Sequence, residues 1–195
     1  MPHRFTDAES LAEMLTARAA GLDRPFTVAI DGRSASGKTT LAAALAEILD
    51  AAVIEGDDFY TGGTEVRTEP PVDLVKLCID WQQQRRVLEA LRAGQDAGWH
   101  AFDWDAFDGR ICDEPTVLSP RPFVIIEGVY ASRPELDDLI DVKILLRADE
   151  ALRESRLVAR EGTITPWQRR WEAAEEYYFE FIRPPTSFDA SVSPE

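Results

Sequence analysis

The chain contains no asparagine and only three lysines, Lys38, Lys76 and Lys143, against 18 arginines. The missing asparagine disfavours families that depend on it, such as GTPases that read guanine with Asn-Lys-x-Asp and protein kinases with a catalytic-loop Asn. Positive charge is scarce as a whole: 36 acidic and 21 basic side chains leave a net charge of −15. A protein that neutralises a phosphate backbone needs a broad basic surface, so nucleic acid is excluded as a general partner. Any anion bound here must meet a small local site. The two cysteines, Cys78 and Cys112, match neither a disulfide framework nor a zinc-ligand spacing and are expected to be reduced thiols. No apolar run approaches the roughly 18 residues of a membrane span, and the N-terminus, with Asp7, Glu9 and Glu13, lacks an apolar signal core. A cytoplasmic protein without a membrane partner is expected.

What is present fits one domain over residues 1–195, since 45% hydrophobic residues can supply a core at this length. Leu11, Met14, Leu15 and Arg18 recur at helical spacing and predict a helix over 7–20, stopped at Gly21. Phe26 to Gly32 is a β-favouring run leading into a glycine loop, followed by an Ala/Leu-rich helix from Thr39 to Leu49. The runs 52–54, 123–126 and 142–146 repeat the strand signature without clean alternation, as strands covered on both faces do. Helical patterns at 72–93, 134–140, 149–161 and 166–182 alternate with them. This order predicts an α/β fold with a mainly parallel central sheet between helical layers. The segments 61–71 and 94–122 are long for plain connections and read as lids or substrate loops.

Gly32-Arg33-Ser34-Ala35-Ser36-Gly37-Lys38-Thr39 fits G-x-x-x-x-G-K-[ST] at every fixed position, with a strand before it and a helix after it. Such a P-loop presents consecutive N–H groups and a helix N-terminus to phosphates. Lys38 supplies a full charge to the β and γ phosphates, and the Thr39 hydroxyl can coordinate Mg²⁺. These eight residues and the adjoining Thr40 are the candidate binders of ATP. Phosphoryl transfer also needs a carboxylate near the metal, a group that orients the nucleophile, and cations for the moving phosphoryl. Glu127, at the end of the 123–126 run, reads as a Walker-B-like acid acting on Mg²⁺ or its waters. Asp57 and Asp58 close another strand, and one of the two can accept the proton of a substrate hydroxyl. Arg153, Arg156 and Arg160 lie at i, i+3 and i+7 on one helix face, where they can close over phosphates or pair with Glu150, Glu154 or Glu161. Trp167, Trp171, Tyr177, Tyr178 and Phe181 read as core aromatics.

With these pieces in register, the sequence resembles the uridine kinase branch of P-loop nucleoside kinases, which also holds phosphoribulokinase-like and pantothenate-kinase-like enzymes. The resemblance runs from about Phe26 to Val192. It rests on Ile30-Asp31-Gly32 leading into the P-loop, Gly56-Asp57-Asp58-Phe59-Tyr60, the aromatic and acidic segment 102–108, Ile126 to Tyr130, and the arginine-bearing helix after Asp149. It implies that Asp57 is the base toward a nucleoside 5′-hydroxyl, that Tyr60 lines the nucleoside site, and that Asp103 holds ribose hydroxyls. It also implies a helical lid over 149–165, whose Arg153, Arg156 and Arg160 touch ribose and triphosphate, Arg153 serving the acceptor as well. The sequence departs from the family in a longer stretch between Tyr60 and Phe102, and in Trp104 where a His-Pro pair is common. The expected activity is Mg-ATP-dependent phosphoryl transfer to a small-molecule hydroxyl, with uridine or cytidine leading. A sugar, a pantothenate-like compound or a nucleotide is the alternative acceptor, and an ATP-binding regulator without turnover is the rival of another class. Oligomeric state is not legible.

Overall fold

The computed structural model describes residues 3–193. Six strands form one sheet: β1 (His3–Phe5), β2 (Phe26–Asp31), β3 (Ala51–Glu55), β6 (Phe123–Glu127), β7 (Val142–Leu146) and β8 (Ala190–Val192). They are ordered β1-β8-β7-β2-β6-β3, and every pairing is parallel. Between β3 and β6, β4 (Ala97–Trp99) and β5 (Thr116–Leu118) make an antiparallel pair inside the long 94–122 segment.

Alternate residues of the apolar runs feed two cores, which is why those runs show no polar face. Val28 and Ile30 of β2, with Ile125 and Ile144, pack under α1 (Ala8–Ala19) and α2 (Lys38–Leu49). Ala29, Val124 and Ile126 face the other way, toward α3 (Pro71–Leu77), α4 (Trp81–Arg92) and α6 (Pro166–Tyr177). α5 (Glu150–Glu161) follows β7, with Asp149 accepting from the Ala151 N–H at 2.9 Å as its cap.

Several expectations need correction. The pattern at 72–93 is two helices, because Asp80 caps α4 by accepting from the Gln83 N–H at 2.9 Å. The residues between them pair with the chain after β3: Asp80 N–H donates to Phe59 O at 2.8 Å and Thr61 N–H to Cys78 O at 2.9 Å. That break therefore anchors the loop carrying Asp57 and Asp58. The 134–140 pattern yields only a 3₁₀ turn at Pro134–Leu136, whose buried Leu136 is followed by buried Leu139 and Ile140 as the chain returns directly to β7. The helix expected to 182 is α-helical to Tyr177 and continues as a π-helical turn over Tyr178–Ile182. β1 and β8, three residues each, are too short to leave a periodic signal. Cys78 and Cys112 are both free. Among the described residues no helix is long and apolar enough to cross a membrane.

Candidate active site

β2 lies between β6 and β7, with Ile30 in register with Glu127, and Glu127 in register with Glu55 of β3. The loops leaving these strands therefore share one end of the sheet, the end where α/β folds place ligands. Two close approaches require glycine there. A Cβ on Gly32 would collide with the Leu146 carbonyl, and a Cβ on Gly56 would stand 2.7 Å from Glu127 O. Asp31, fully buried, ties the corner together by accepting from the N–H groups of Gly32 (2.8 Å), Tyr130 (3.1 Å) and Ser132 (2.9 Å) and from the Tyr178 hydroxyl (2.9 Å).

The P-loop arches from Gly32 to Gly37, with Ala35 at φ +61° and Gly37 at φ +101° opening α2. No side chain caps α2, so its first N–H groups have no local acceptor. Ser36 Oγ is buried without a partner, and Lys38 Nζ turns onto Arg33 O at 3.2 Å. Arg156 lies over the loop, donating from Nη1 to Ala35 O at 3.1 Å and Ser36 O at 3.3 Å. A cradle of unclaimed donors flanked by Lys38 and Arg156 fits a polyphosphate.

Thr39 Oγ1 donates to Glu127 Oε1 at 2.9 Å. Burial pushes the Glu127 carboxyl up to about 7, with the charges of Asp57 and Glu55 adding to it and Lys38 opposing. One hydroxyl and one acid suit a Mg²⁺ ion shared with nucleotide phosphates rather than held in an all-protein cage. Consistently, no group of three or more acidic, His or Cys ligands occurs among the described residues.

Beside the loop lies a cavity of about 1050 Å³, walled by the chain after β3, the 104–107 segment, α5 and α6. Asp57 and Asp58 both line it, but they differ. Asp58 accepts from Trp99 Nε1 at 2.7 Å, whereas the exposed Asp57 carboxylate has no protein partner among the described residues. Trp104 Nε1 donates to Asp57 O at 3.2 Å and so fixes the backbone at that position. Tyr60 is buried in the cavity wall, its hydroxyl donating to Gly63 O at 2.7 Å, and burial pushes its phenol up to about 12.

Asp103, expected to hold ribose hydroxyls, is not among the residues that line the cavity. Its Oδ1 accepts from the Ala106 N–H at 2.8 Å in a tight turn, while Oδ2 has no partner among the described residues. The 103–107 turn instead brings Trp104, Asp105 and Phe107 to the cavity. The three α5 arginines also diverge. Arg153 is buried and held by α6, through Glu172 Oε1 at 3.2 Å and Glu175 Oε2 at 3.7 Å, while Arg160 pairs with its neighbour Glu161 at 2.7 Å. Trp167 and Trp171 pack against the core, as read, and also form cavity wall, stacked at 5.9 Å with 3° between their planes. Nothing nearby in sequence marks Glu175, whereas Asp31 is marked only as the residue that leads into the P-loop.

The fold and the loop define a P-loop architecture, with a phosphate cradle and a neighbouring cavity at one end of a parallel sheet. No family model matches the chain. In sequence it is similar to a uridine kinase of Deinococcus deserti, 28% identical over 171 residues, covering 83% of this chain and 79% of that protein. It is also similar to uridine kinase-like protein 3 of Arabidopsis thaliana, 28% identical over 151 residues; the match covers 71% of this chain but spans only 31% of that longer protein. A solved structure described as a possible uridine kinase from Bacillus stearothermophilus superposes with a TM-score of 0.71 at 22% identity, covering 95% of this chain and 96% of the other. D-glycerate 3-kinase from Cryptococcus neoformans superposes at 0.64 with 14% identity, covering 95% of each chain. The chain is thus similar in sequence to uridine kinases, and its fold is one that solved kinases of different acceptors share.

Proposed function

We propose that this protein, as one domain, is a Mg-ATP-dependent kinase that phosphorylates a hydroxyl of a small, uncharged acceptor, with the 5′-hydroxyl of uridine or cytidine as the leading case. One observation carries the reading. The unpartnered Asp57 carboxylate and the Thr39–Glu127 pair stand at the ends of adjacent strands, one at the acceptor cavity and the other at the phosphate loop. A sensor of ATP has no use for the first of these.

Bound Mg-ATP supplies the phosphoryl group and the divalent charge that neutralises it. Thr39 and Glu127 would hold the metal, and the N–H groups of Ala35 and of Gly37 to Thr40, with Lys38, would hold the phosphates. Arg33, Ser36, Leu146 and Arg147 line a smaller cavity of about 320 Å³ on the far side of the loop, suited to the nucleoside end of ATP. Asp57 accepts the acceptor's hydroxyl proton as that oxygen bonds to the γ-phosphorus and the bond to the β–γ bridging oxygen breaks. Lys38, Arg153 and Arg156 offset charge on the transferring and departing phosphates, with Arg160 at the cavity mouth.

The charge of the cavity argues for a neutral acceptor. Nine carboxylates and three arginines line it, so an acceptor that is itself an acid meets repulsion there. The placement of Asp103 outside the cavity lining, with Oδ1 in a turn, supports a second reading, in which the acceptor is a neutral sugar or polyol that needs no such ribose contact. ADP release from Mg-ATP should be measured with uridine, cytidine, fructose, glycerate and no acceptor. Stimulation by uridine or cytidine supports the leading reading, and stimulation by fructose alone supports the second. Stimulation by glycerate alone refutes the neutral acceptor, and a flat panel from a protein that binds ATP refutes uridine, cytidine and fructose as acceptors and favours the ATP-binding regulator or an acceptor outside the panel.

A further inference from the structure

Glu175 is a buried acid that no step above employs. It lies on α6 at 1% exposure, in a chain that already carries a large excess of negative charge. A carboxylate withdrawn from water to this degree persists only where charges and donors compensate it. Its compensation comes from two different places. Oε1 accepts from the Ser34 N–H at 3.0 Å and from the Ser34 hydroxyl, so the third residue of the phosphate loop is held at two donors. Oε2 lies 3.7 Å from Arg153 Nη1, an atom that is buried and has no hydrogen-bond partner.

One turn earlier on the same helix, Trp171 Nε1 donates to Ser34 Oγ at 3.0 Å. Residues 171 and 175 are i and i+4, so one face of α6 grips Ser34 from both sides. Trp171 also belongs to the acceptor cavity, stacked on Trp167 and 5.9 Å from the Tyr60 ring. α6 is therefore the element on which the phosphate loop, a buried arginine of α5 and the aromatic wall of the acceptor cavity are referenced to one another.

We propose that Glu175 is a positioning residue of the phosphoryl-transfer site: it fixes Ser34 of the phosphate loop and Arg153 of α5 against the aromatic wall formed by Trp167 and Trp171. This rests on the kinase reading above for its catalytic half and on geometry alone for its structural half. Without the carboxylate, Ser34 loses the acceptor of both its donors. Arg153 then keeps only Glu172, whose side chain is 44% exposed, so solvent weakens that hold. Misplacement of a phosphate-facing group by about 1 Å can cost roughly 10²-fold in rate.

The test compares Glu175→Ala with Glu175→Gln, since glutamine still offers an oxygen to Ser34 but no charge to Arg153. In the nucleotide-free protein, amide exchange in the segment 32–38 should rise about tenfold or more in Glu175→Ala and stay near wild type in Glu175→Gln, with β2 and β6 unchanged in both. At saturating Mg-ATP and acceptor, kcat should fall about 10–100-fold in Glu175→Ala and roughly tenfold in Glu175→Gln, with both KM values within about threefold. Arg153→Ala in the Glu175→Gln background should add much less than Arg153→Ala does alone. Unchanged exchange in the loop of Glu175→Ala overturns the hold on Ser34. Uniform exchange across β2 and β6 assigns Glu175 to general stability instead. Should Glu175→Ala not fold, Glu175→Gln decides: wild-type kcat, or full additivity with Arg153→Ala, overturns the hold on Arg153. A wild-type protein without turnover on any acceptor refutes the kinase reading, while the exchange result still stands for or against the hold on Ser34.

Discussion

The two ends of the central sheet use the same side chains in opposite ways. At the C-terminal end, Glu55, Asp58 and Glu127 crowd together with Asp57, and burial pushes the first three carboxyls above their usual range. At the N-terminal end, Asp141 is held below its usual range despite partial burial, because donors surround it: Arg24 at 2.8 and 2.7 Å, Arg92 at 3.1 Å and the Thr27 N–H at 2.9 Å. One end is an acid clamp that closes the fold. The other is a set of acids kept close and under-compensated, an arrangement that detracts from stability and is retained where chemistry needs charge.

The comparison breaks most visibly through the rate. Lys38→Ala should lower kcat about 10³-fold, since it removes the cation facing the transferring phosphoryl from a site already rich in acid. Asp57→Asn should lower kcat about 10²-fold with ATP affinity nearly unchanged, measured by steady-state kinetics and by calorimetric titration of the nucleotide. Wild-type turnover in Asp57→Asn would remove Asp57 from the role of base.

At the opposite end the loss should appear in stability. Asp141→Asn leaves Arg24 and Arg92 facing an amide and should destabilise the fold by about 2 kcal/mol at neutral pH, with kcat per folded molecule preserved. Acid weakens this difference. A carboxyl whose folded pKa lies below its ordinary 3.8 stabilises fully above about pH 4 and progressively less as pH falls through the folded value. Denaturant midpoints of wild type and Asp141→Asn should therefore converge as pH falls below about 4. A gap that stays constant would show that the amide fails by shape and not by charge.

This contrast also separates what local sequence can carry from what it cannot. The β2, P-loop and α2 unit was legible because its chemistry depends on fixed spacing within one short segment, and Glu127 because a strand end next to that loop has few uses for an acid. Asp57 and Asp58 could not be told apart, since the difference is made by Trp99 Nε1, 41 positions downstream. Glu175 and Trp171 read as members of an ordinary amphipathic helix. Their meaning comes from contact with Ser34, 141 and 137 positions away, and helical periodicity does not say which loop a face will meet. Asp103 shows the converse case. An aspartate that matches a family position is drawn into its own turn by the Ala106 N–H, a competition that is local but conformational.

The smallest effect is the sharpest discriminator, because Asp58→Asn is the same chemical change as Asp141→Asn at the other end of the sheet. Asp58 is raised by burial and then by the neighbouring charge of Asp57, against the opposing bond from Trp99. An acid with a raised folded pKa adds most to stability while protonated, and the benefit is lost as pH rises from its unfolded pKa through its folded one. Asparagine keeps an oxygen for Trp99 Nε1 and carries no charge, so at pH 7 the variant should equal wild type or exceed it by less than about 1 kcal/mol, solvent screening the half-buried site. Near pH 3, where the acid is neutral in both states, the two proteins should unfold alike. Turnover should stay within about threefold of wild type, in contrast to Asp57→Asn. A loss of stability at pH 7 would mean that the ionised Asp58–Trp99 bond outweighs the crowding, and the two ends of the sheet would then hold their acids by the same rule.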